Sequence, residues 1–181
     1  MDYNFDQEID RRGTNSAKWG VVQQNGRFVP LEAAPQFMEG KRLLPMWVAD
    51  MDFLVPQPVI DALIQRAQHG IFGYSGAGLS YRQAVVDWMA RRHSWAVDAD
   101  WIVATPGVVP ALYLLVRTFV APGQRVIIQP PVYHPFFTAA SNNEVEAAHN
   151  PLLLADGRYQ MDFAGLEALA RQPDTAMLIL C

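Results

Sequence analysis

The turn Thr105-Pro106-Gly107 lies between a short apolar run and a segment with the apolar spacing of a helix, which begins at Val108. The first N–H groups of a helix have no intrahelical acceptor and lie at the positive end of its dipole, so this turn could bind a phosphate. An ordinary strand-to-helix turn could have the same residues. One glycine does not make the G-x-G-x-x-G pattern of a dinucleotide site, so the turn favours a smaller phosphate-bearing ligand.

The segment Pro130-Pro131-Val132-Tyr133 brings an aromatic ring to the end of a second apolar run. An aromatic ring at the carboxyl end of a strand can stack on a planar ligand, although it could equally belong to a packed aromatic cluster. His134 follows it and is interpreted as a surface residue. Together with the turn at Gly107, Tyr133 suggests a ligand that has a flat ring and a phosphate.

Asp50 and Asp52 would project to the same side of an extended segment. Such a pair could bind a metal or take part in acid–base chemistry, or the segment could be a solvated loop or cap the helix that follows Pro56. The four histidines share no ligand spacing, and the single cysteine, Cys181, excludes a disulfide framework and a cysteine-rich metal site. We therefore predict no metal centre.

The elements that must position these residues alternate between apolar strands and helices. The sequence predicts helices over 59–67, 79–95, 108–120, 133–142 and 161–171, and strands over 101–105, 125–129, 145–148 and 175–180. This alternation is typical of parallel βαβ units in an α/β fold, where ligands bind beyond the carboxyl ends of the strands. Residues 1–45 lack the alternation and are predicted to be irregular, with a turn at Asn25-Gly26.

Composition and charge limit the classes of protein that are possible. The chain has 181 residues, of which 51% are hydrophobic, and a net charge of −4. This balance argues against disorder and against a nucleic-acid-binding surface. The most apolar run, residues 108–120, is too short to cross a bilayer. The first ten residues carry four carboxylates rather than a basic and apolar leader, so we expect a cytoplasmic protein that does not bind membranes.

Five segments form a recognisable set of motifs: Arg12-Gly13-Thr14-Asn15-Ser16-Ala17-Lys18-Trp19, Pro45-Met46-Trp47-Val48-Ala49-Asp50-Met51-Asp52-Phe53, Phe72-Gly73-Tyr74-Ser75, Thr105-Pro106-Gly107-Val108-Val109 and Pro130-Pro131-Val132-Tyr133. Through these motifs the chain resembles the MalY/PatB-type cystathionine β-lyases, which are fold-type I, aminotransferase-like enzymes that use pyridoxal 5'-phosphate (PLP). The first two segments are fairly specific to this group, and the others are shared with aminotransferases.

The resemblance implies an α/β fold of the aspartate aminotransferase-like type, with a mainly parallel sheet, flanking helices and an N-terminal arm. Residues 1–45 would be the arm or a small-domain segment, and residues 46–181 would be the N-terminal part of the PLP-binding large domain. The implied function is a carbon–sulfur β-lyase that cleaves cystathionine or related L-cysteine conjugates to a thiol, pyruvate and ammonia. An aminotransferase of the same fold and a non-catalytic ligand-binding or regulatory remnant are the alternatives.

The resemblance also assigns roles in binding the cofactor. Gly107, Val108 and Val109 would hold the PLP phosphate with their backbone, and Tyr133 would stack on the pyridine ring. Tyr74 would reach the phosphate of a neighbouring subunit, which implies a homodimer with shared sites.

Three further residues are implied on the side of the small amino-acid substrate. Val48 and Ala49 would lie near its carboxylate, and Trp19 would line its entrance. PLP chemistry also needs a Schiff-base lysine. The chain has only Lys18 and Lys41, and neither stands at the family's position for this lysine, which lies beyond residue 181. We therefore expect no catalytic residue here and an N-terminal part that is inactive by itself.

Overall fold

A computed structural model of the protein describes residues 4–34 and 44–181. The chain divides into two compact units, one ending at Ser75 and the other beginning at Gly76. The first unit contains helices α1 (Ala17–Gly20) and α2 (Gln57–His69) and strands β1 (Val21–Gln24) and β2 (Arg27–Pro30). The second contains helices α3 (Leu79–His93), α4 (Val108–Phe119), α5 (Pro135–Ser141) and α6 (Phe163–Ala170), and strands β3 (Arg125–Ile128), β4 (Glu146–His149), β5 (Leu153–Ala155), β6 (Arg158–Gln160) and β7 (Thr175–Leu178).

In the first unit, β1 and β2 form an antiparallel hairpin in which Gln24 pairs with Arg27. The two residues between them, Asn25 and Gly26, have left-handed backbone conformations, with φ of 51° and 75°. A two-residue type I′ turn needs these conformations, and Asn-Gly is its preferred sequence. The predicted turn is confirmed, but the prediction of an irregular N-terminal region is wrong for residues 17–33.

Helix α2 begins after Pro56 and has Pro58 in its first turn, where the missing N–H of proline costs no hydrogen bond. It ends at Gly70, which has a φ of 72° and donates its N–H to the carbonyl oxygen of Ala67 at 3.1 Å. Glycine adopts this left-handed conformation without steric cost. The structure therefore confirms both the helix and its glycine end.

The second unit is built on a parallel three-stranded sheet in the order β4-β3-β7. Val126 of the central strand pairs with Ala147 on one side and with Met177 on the other. Val126, Ile127 and Ile128 are buried, with at most 1% of their surface exposed. A continuous apolar run is what a parallel strand needs when both of its faces are covered. The predicted parallel α/β arrangement is thus confirmed for these three strands.

Helices α4 and α5 contribute most of the remaining core. Val116 of α4 and Ala139 of α5 are completely buried in the cluster that includes Val126 of β3. The hydroxyl of Tyr113 on α4 donates to Oγ1 of Thr138 on α5 at 2.6 Å, which fixes the two helices side by side. Across residues 4–34 and 44–181, no helix is long and apolar enough to cross a membrane.

The prediction of a strand over residues 101–105 is wrong. Residues Ala99–Trp101 form a 3-10 turn, in which Oδ1 of Asp98 accepts a hydrogen bond from the backbone N–H of Asp100 at 2.9 Å. Residues 102–105 have no strand pairing in the described part of the chain, and Val103 is 83% exposed. A strand depends on hydrogen bonds from a neighbouring strand, so apolar residues alone did not make one here.

A hairpin formed by β5 and β6 was not predicted from the sequence. Its strands are joined by Asp156 and Gly157, with φ of 50° and 73°. Asp-Gly is another preferred sequence for a type I′ turn, so this signal was available. The predicted cap of the next helix is confirmed, because Oδ1 of Asp162 accepts a hydrogen bond from the N–H of Gly165 at 2.9 Å.

Candidate functional site

The turn before α4 presents backbone N–H groups that have no partner. Gly107 caps the helix with φ of 157° and ψ of 168°, a region that glycine occupies and other residues avoid. The first backbone hydrogen bond of the helix runs from Ala111 to the carbonyl oxygen of Gly107 at 3.1 Å. The N–H groups of Val108 and Val109 precede this bond and find no acceptor within the described ranges. They are therefore free to bind an anion.

The residues around this turn keep it both ordered and open. The hydroxyl of Thr105 donates to the carbonyl oxygen of Gly107 at 3.1 Å, which orients that peptide. Pro110 has no N–H, so it removes one donor that would otherwise be unsatisfied. The side chain of Val108 is 77% exposed and does not cover the helix end. Helix α4 is anchored from its other end by Val116, which is completely buried.

Tyr133 lies beyond the carboxyl end of β3, as the sequence predicts. Its side chain is 60% exposed. Its ring meets the buried ring of Phe136 edge to face, with 6.4 Å between the centroids and 73° between the planes. Phe136 therefore supports Tyr133 from one edge, while much of the ring remains open to a planar ligand.

A buried polar pair fixes the chain that leads to Tyr133. Nε2 of Gln129 donates to Oδ1 of Asn150 at 2.8 Å, and both residues are at most 5% exposed. The side-chain amide of Asn150 also donates to the carbonyl oxygen of Asp162 at 3.2 Å. The backbone N–H of Asn150 donates to the carbonyl oxygen of Ile128 at 2.9 Å. The ends of β3 and β4 are thus joined to the start of α6. No local sequence pattern indicates this pair, because its members are 21 residues apart.

The acidic pair in the first unit is an ion-pair centre. Asp52 accepts hydrogen bonds from Nη1 of Arg11 at 2.6 Å, from Nζ of Lys18 at 2.6 Å and from Nε1 of Trp19 at 2.9 Å. Arg11 also donates to the carboxylate of Asp50. The cap of α2 is Pro56, with no side-chain hydrogen bond, so the interpretation of the acidic pair as a helix cap is wrong. No cluster able to hold a metal ion occurs among the described residues.

These contacts keep Asp52 ionised. Hydrogen bonds from Lys18, Trp19 and Arg11 hold the pKa of the Asp52 carboxyl well below its ordinary value of 3.8. The hydrogen bonds that Arg11 donates to Asp52 and Asp50 raise the pKa of its guanidinium. A carboxylate that is ionised and accepts three hydrogen bonds at neutral pH is not available as a general acid. Its evident effect is to hold the side chains around it.

The first unit also contains the residues implied on the substrate side. Trp19 is half-buried on α1 and bound to Asp52, and Val48 and Ala49 directly precede Asp50 in the same ion-pair centre. The structure therefore brings Trp19 close to the segment that contains Val48 and Ala49. Tyr74 is fully exposed. Gly107, Val108, Val109 and Tyr133 all belong to the second unit.

A cavity of about 890 Å³ lies beside this ion-pair centre, within the first unit. Its lining includes Trp19, Lys18 and a stacked aromatic pair, Phe28 and Trp47, whose centroids are 5.1 Å apart at 18°. The cavity has the size and apolar lining of a small-molecule site.

Comparison with known proteins gives consistent matches over most of the chain. The family model for aminotransferase class I and II matches residues 42–181. Cystathionine beta-lyase PatB of Bacillus subtilis is 42% identical over 98% of this chain. The crystal structure of cystalysin from Treponema denticola, which contains a pyridoxal 5'-phosphate cofactor, has 37% identity, a TM-score of 0.85 and 98% coverage of this chain. The PLP-bound C–S lyase from Staphylococcus hominis has 30% identity, a TM-score of 0.79 and 97% coverage.

The match covers only part of each relative. The chain spans 43% of the length of PatB and of cystalysin, and 41% of that of the Staphylococcus hominis lyase. Within that span the predicted fold type is confirmed, because the parallel sheet and its helices superpose on solved structures of the same fold. The chain therefore belongs to the aminotransferase class I and II family and has the fold-type I α/β architecture.

Proposed function

We propose that this chain supplies the N-terminal part of a PLP-dependent carbon–sulfur β-lyase. Its substrate would be cystathionine or a related L-cysteine conjugate, which with one water molecule gives a thiol, pyruvate and ammonia. The observation that carries this proposal is the open N-terminus of α4 beside Gly107, in a chain that is 42% identical to a cystathionine beta-lyase. The competing reaction on the same fold is amino-group transfer.

The residues of the second unit fit PLP, which has a phosphate and a planar pyridine ring. The free N–H groups of Val108 and Val109, with that of Gly107, provide donors for phosphate oxygens at the positive end of α4. The exposed ring of Tyr133 provides an apolar surface for the pyridine. Both features match the chemistry of the cofactor without any change of side chain.

When bound, PLP supplies an electron sink for the electron pair released at the α-carbon of the substrate. The residues of this chain have binding and orienting roles. Gly107, Val108 and Val109 would hold the phosphate, and the ring of Tyr133 would lie against the pyridine. Holding the phosphate and the ring at two points would keep the bound cofactor in one orientation relative to the substrate.

On the substrate side, the backbone of Val48 and Ala49 and the side chain of Trp19 would bind and enclose the amino acid. The cavity beside Trp19 supports this assignment, since it combines aromatic walls with neighbouring cations. The same arm and the segment around Trp47 favour the lyase over an aminotransferase. Residues 1–45 would form this arm, and residues 46–181 would form part of the large domain.

We do not expect the 181 residues to react by themselves. Nζ of Lys18 donates to the carbonyl oxygen of Asp50 at 2.9 Å and to Oδ2 of Asp52 at 2.6 Å, so this nitrogen is already engaged in an ion pair. An amine must be deprotonated and free to attack an aldehyde, so Lys18 is unsuited to hold the cofactor covalently. Lys41 lies outside the described residues. The lysine would come from sequence beyond these residues.

The active form would be a homodimer in the cytoplasm. Tyr74 supports the homodimer, because its side chain is fully exposed and its hydroxyl is available to a phosphate in a neighbouring subunit. The single cysteine, which is free and exposed, supports a reducing compartment.

The experiment is a pyruvate assay on the full-length protein that contains this chain. The protein is given L-cystathionine with and without PLP, and no 2-oxo acid is added. We expect PLP-dependent pyruvate release. Amino-group transfer that requires an added 2-oxo acid, with no pyruvate otherwise, would favour the aminotransferase. Tight PLP binding with neither product would favour a non-catalytic ligand-binding remnant.

A further inference from the structure

We propose that Asp52 is a positioning residue that holds Trp19 and the backbone of Val48 and Ala49 in one arrangement on the substrate side. This inference rests on the proposed function. Asp52 itself does not touch the substrate. It acts through the residues that it holds.

The first argument is the convergence of donors from one segment on a single carboxylate. Oδ1 of Asp52 accepts from Arg11 at 2.6 Å and from the Trp19 indole at 2.9 Å, and Oδ2 accepts from Lys18 at 2.6 Å. The three donors come from residues 11–19, which are 33 to 41 positions away in sequence. Asp52 therefore ties two distant segments of the first unit together.

The second argument is that the same cations hold the backbone next to Ala49. Nζ of Lys18 donates to the carbonyl oxygen of Asp50 at 2.9 Å. Nη1 of Arg11 donates to the carbonyl oxygen of Met51 at 3.4 Å. Asp50 directly follows Ala49, so its peptide is fixed on one side by Lys18. A shift of Lys18 would consequently move the backbone that is assigned to the substrate carboxylate.

The third argument is burial. The side chain of Lys18 is only 12% exposed, and that of Arg11 is 23% exposed. Two cations and two carboxylates, Asp50 and Asp52, balance in charge at this place. If one oxygen of Asp52 became an amide nitrogen, the donors on that side of the carboxylate, either Lys18 or the pair Arg11 and Trp19, would lose their acceptor there. Partly buried donors left without acceptors move towards water, which would displace Trp19.

An exposed ion pair away from this cavity provides a control. Oε1 of Glu167 on α6 accepts from Nε of Arg171 at 3.0 Å, and the two residues are four positions apart. Both side chains are more than 60% exposed. This pair also joins a carboxylate to a guanidinium, but it connects no distant segments.

The test compares Asp52→Asn with Glu167→Gln in the full-length protein. The first readout is KM and kcat for L-cystathionine. The second is acrylamide quenching of Trp19, taken as the difference in fluorescence between each protein and its Trp19→Phe derivative. For Asp52→Asn we expect KM to rise about tenfold with kcat within about twofold, and Trp19 to be quenched more strongly, because uniform substrate binding is lost. Glu167→Gln should change neither readout.

Asp52→Glu gives a further check, since it retains the charge. We expect it to recover part of the KM change, whereas a merely structural role would make it no better than Asp52→Asn. An active parent protein whose KM and Trp19 quenching are unchanged by Asp52→Asn would overturn this assignment alone. Equal loss of kcat and kcat/KM, with Trp19 quenching unchanged, would also overturn it. A parent protein without lyase activity would instead contradict the proposed function, and this assignment with it.

Discussion

The side-chain amide of Gln129 donates to the side-chain oxygen of Asn150 at 2.8 Å, at the point where β3 and β4 end. Gln129 immediately precedes the segment Pro130-Pro131-Val132-Tyr133, so this buried bond fixes the start of the chain that carries the aromatic ring. If either residue is removed, the polar group of the other stays buried without a partner. The pair therefore stabilises the folded position of this segment.

Asn150→Ala should lower the free energy of unfolding by about 1–3 kcal/mol, because Nε2 of Gln129 would remain buried without an acceptor. Chemical denaturation of the full-length protein measures this change. Asn142→Ala is the control. Asn142 is exposed, and its side-chain hydrogen bond to the Tyr113 hydroxyl is long, at 3.4 Å. Equal effects of the two substitutions would contradict the importance of the buried pair.

Gly107→Ala should weaken PLP binding about tenfold and lower the free energy of unfolding by about 1–3 kcal/mol, because a Cβ is strained at a φ of 157° and ψ of 168°. Titration with PLP, followed by absorbance, gives the dissociation constant. Gly76→Ala is the matched control, since its added Cβ would meet nothing within 4 Å and no strained φ is required there. Unchanged PLP affinity in Gly107→Ala would argue against this turn as the phosphate site.

Tyr133→Ala should weaken PLP binding roughly threefold to tenfold, which corresponds to about 0.5–1.5 kcal/mol of lost ring contact. Tyr133→Phe retains the ring and should bind PLP within about twofold of the parent protein. Tyr159 is comparably exposed, on β6, so Tyr159→Ala controls for loss of a surface aromatic residue. If Tyr133→Phe lost as much affinity as Tyr133→Ala, the hydroxyl rather than the ring would be the important group.

Stability should depend on pH through Asp52. Its pKa in the folded protein is held below its ordinary value of 3.8, so its ion pairs stabilise the protein above that pH. This contribution is lost as the pH falls through the folded-state pKa, when the carboxyl becomes protonated. Urea unfolding of the parent and of Asp52→Asn should therefore differ at pH 7 and converge in acid. A difference that is constant down to about pH 2 would mean that the charge of Asp52 is unimportant.

Local patterns predicted the elements whose conformation depends on neighbouring residues. The Asn25-Gly26 turn, the glycine end of α2 at Gly70 and the Asp162 cap of α6 all follow from one to four residues. The buried central strand was also predictable, because Val126, Ile127 and its neighbours form a continuous apolar run. In these places the local preference and the tertiary structure agree.

Features that depend on distant residues could not be predicted in the same way. Residues 101–105 have the composition of a strand but lack a neighbouring strand within the described residues. The partners of Asp52 lie 33 to 41 positions away, and nothing in the local pattern of Asp50 and Asp52 distinguishes an ion-pair centre from a metal site. The assigned roles of Gly107 and Tyr133 came from the resemblance together with general strand-end geometry, and they stay predictions.

The most direct test of the central claim measures the thiol, pyruvate and ammonia formed in one reaction. The full-length protein, saturated with PLP, is given L-cystathionine and no 2-oxo acid. A carbon–sulfur β-lyase must release the three products in equal amounts, and this is the result that we predict. Absence of pyruvate and thiol, with formation of a new amino acid only after a 2-oxo acid is added, would contradict the proposal.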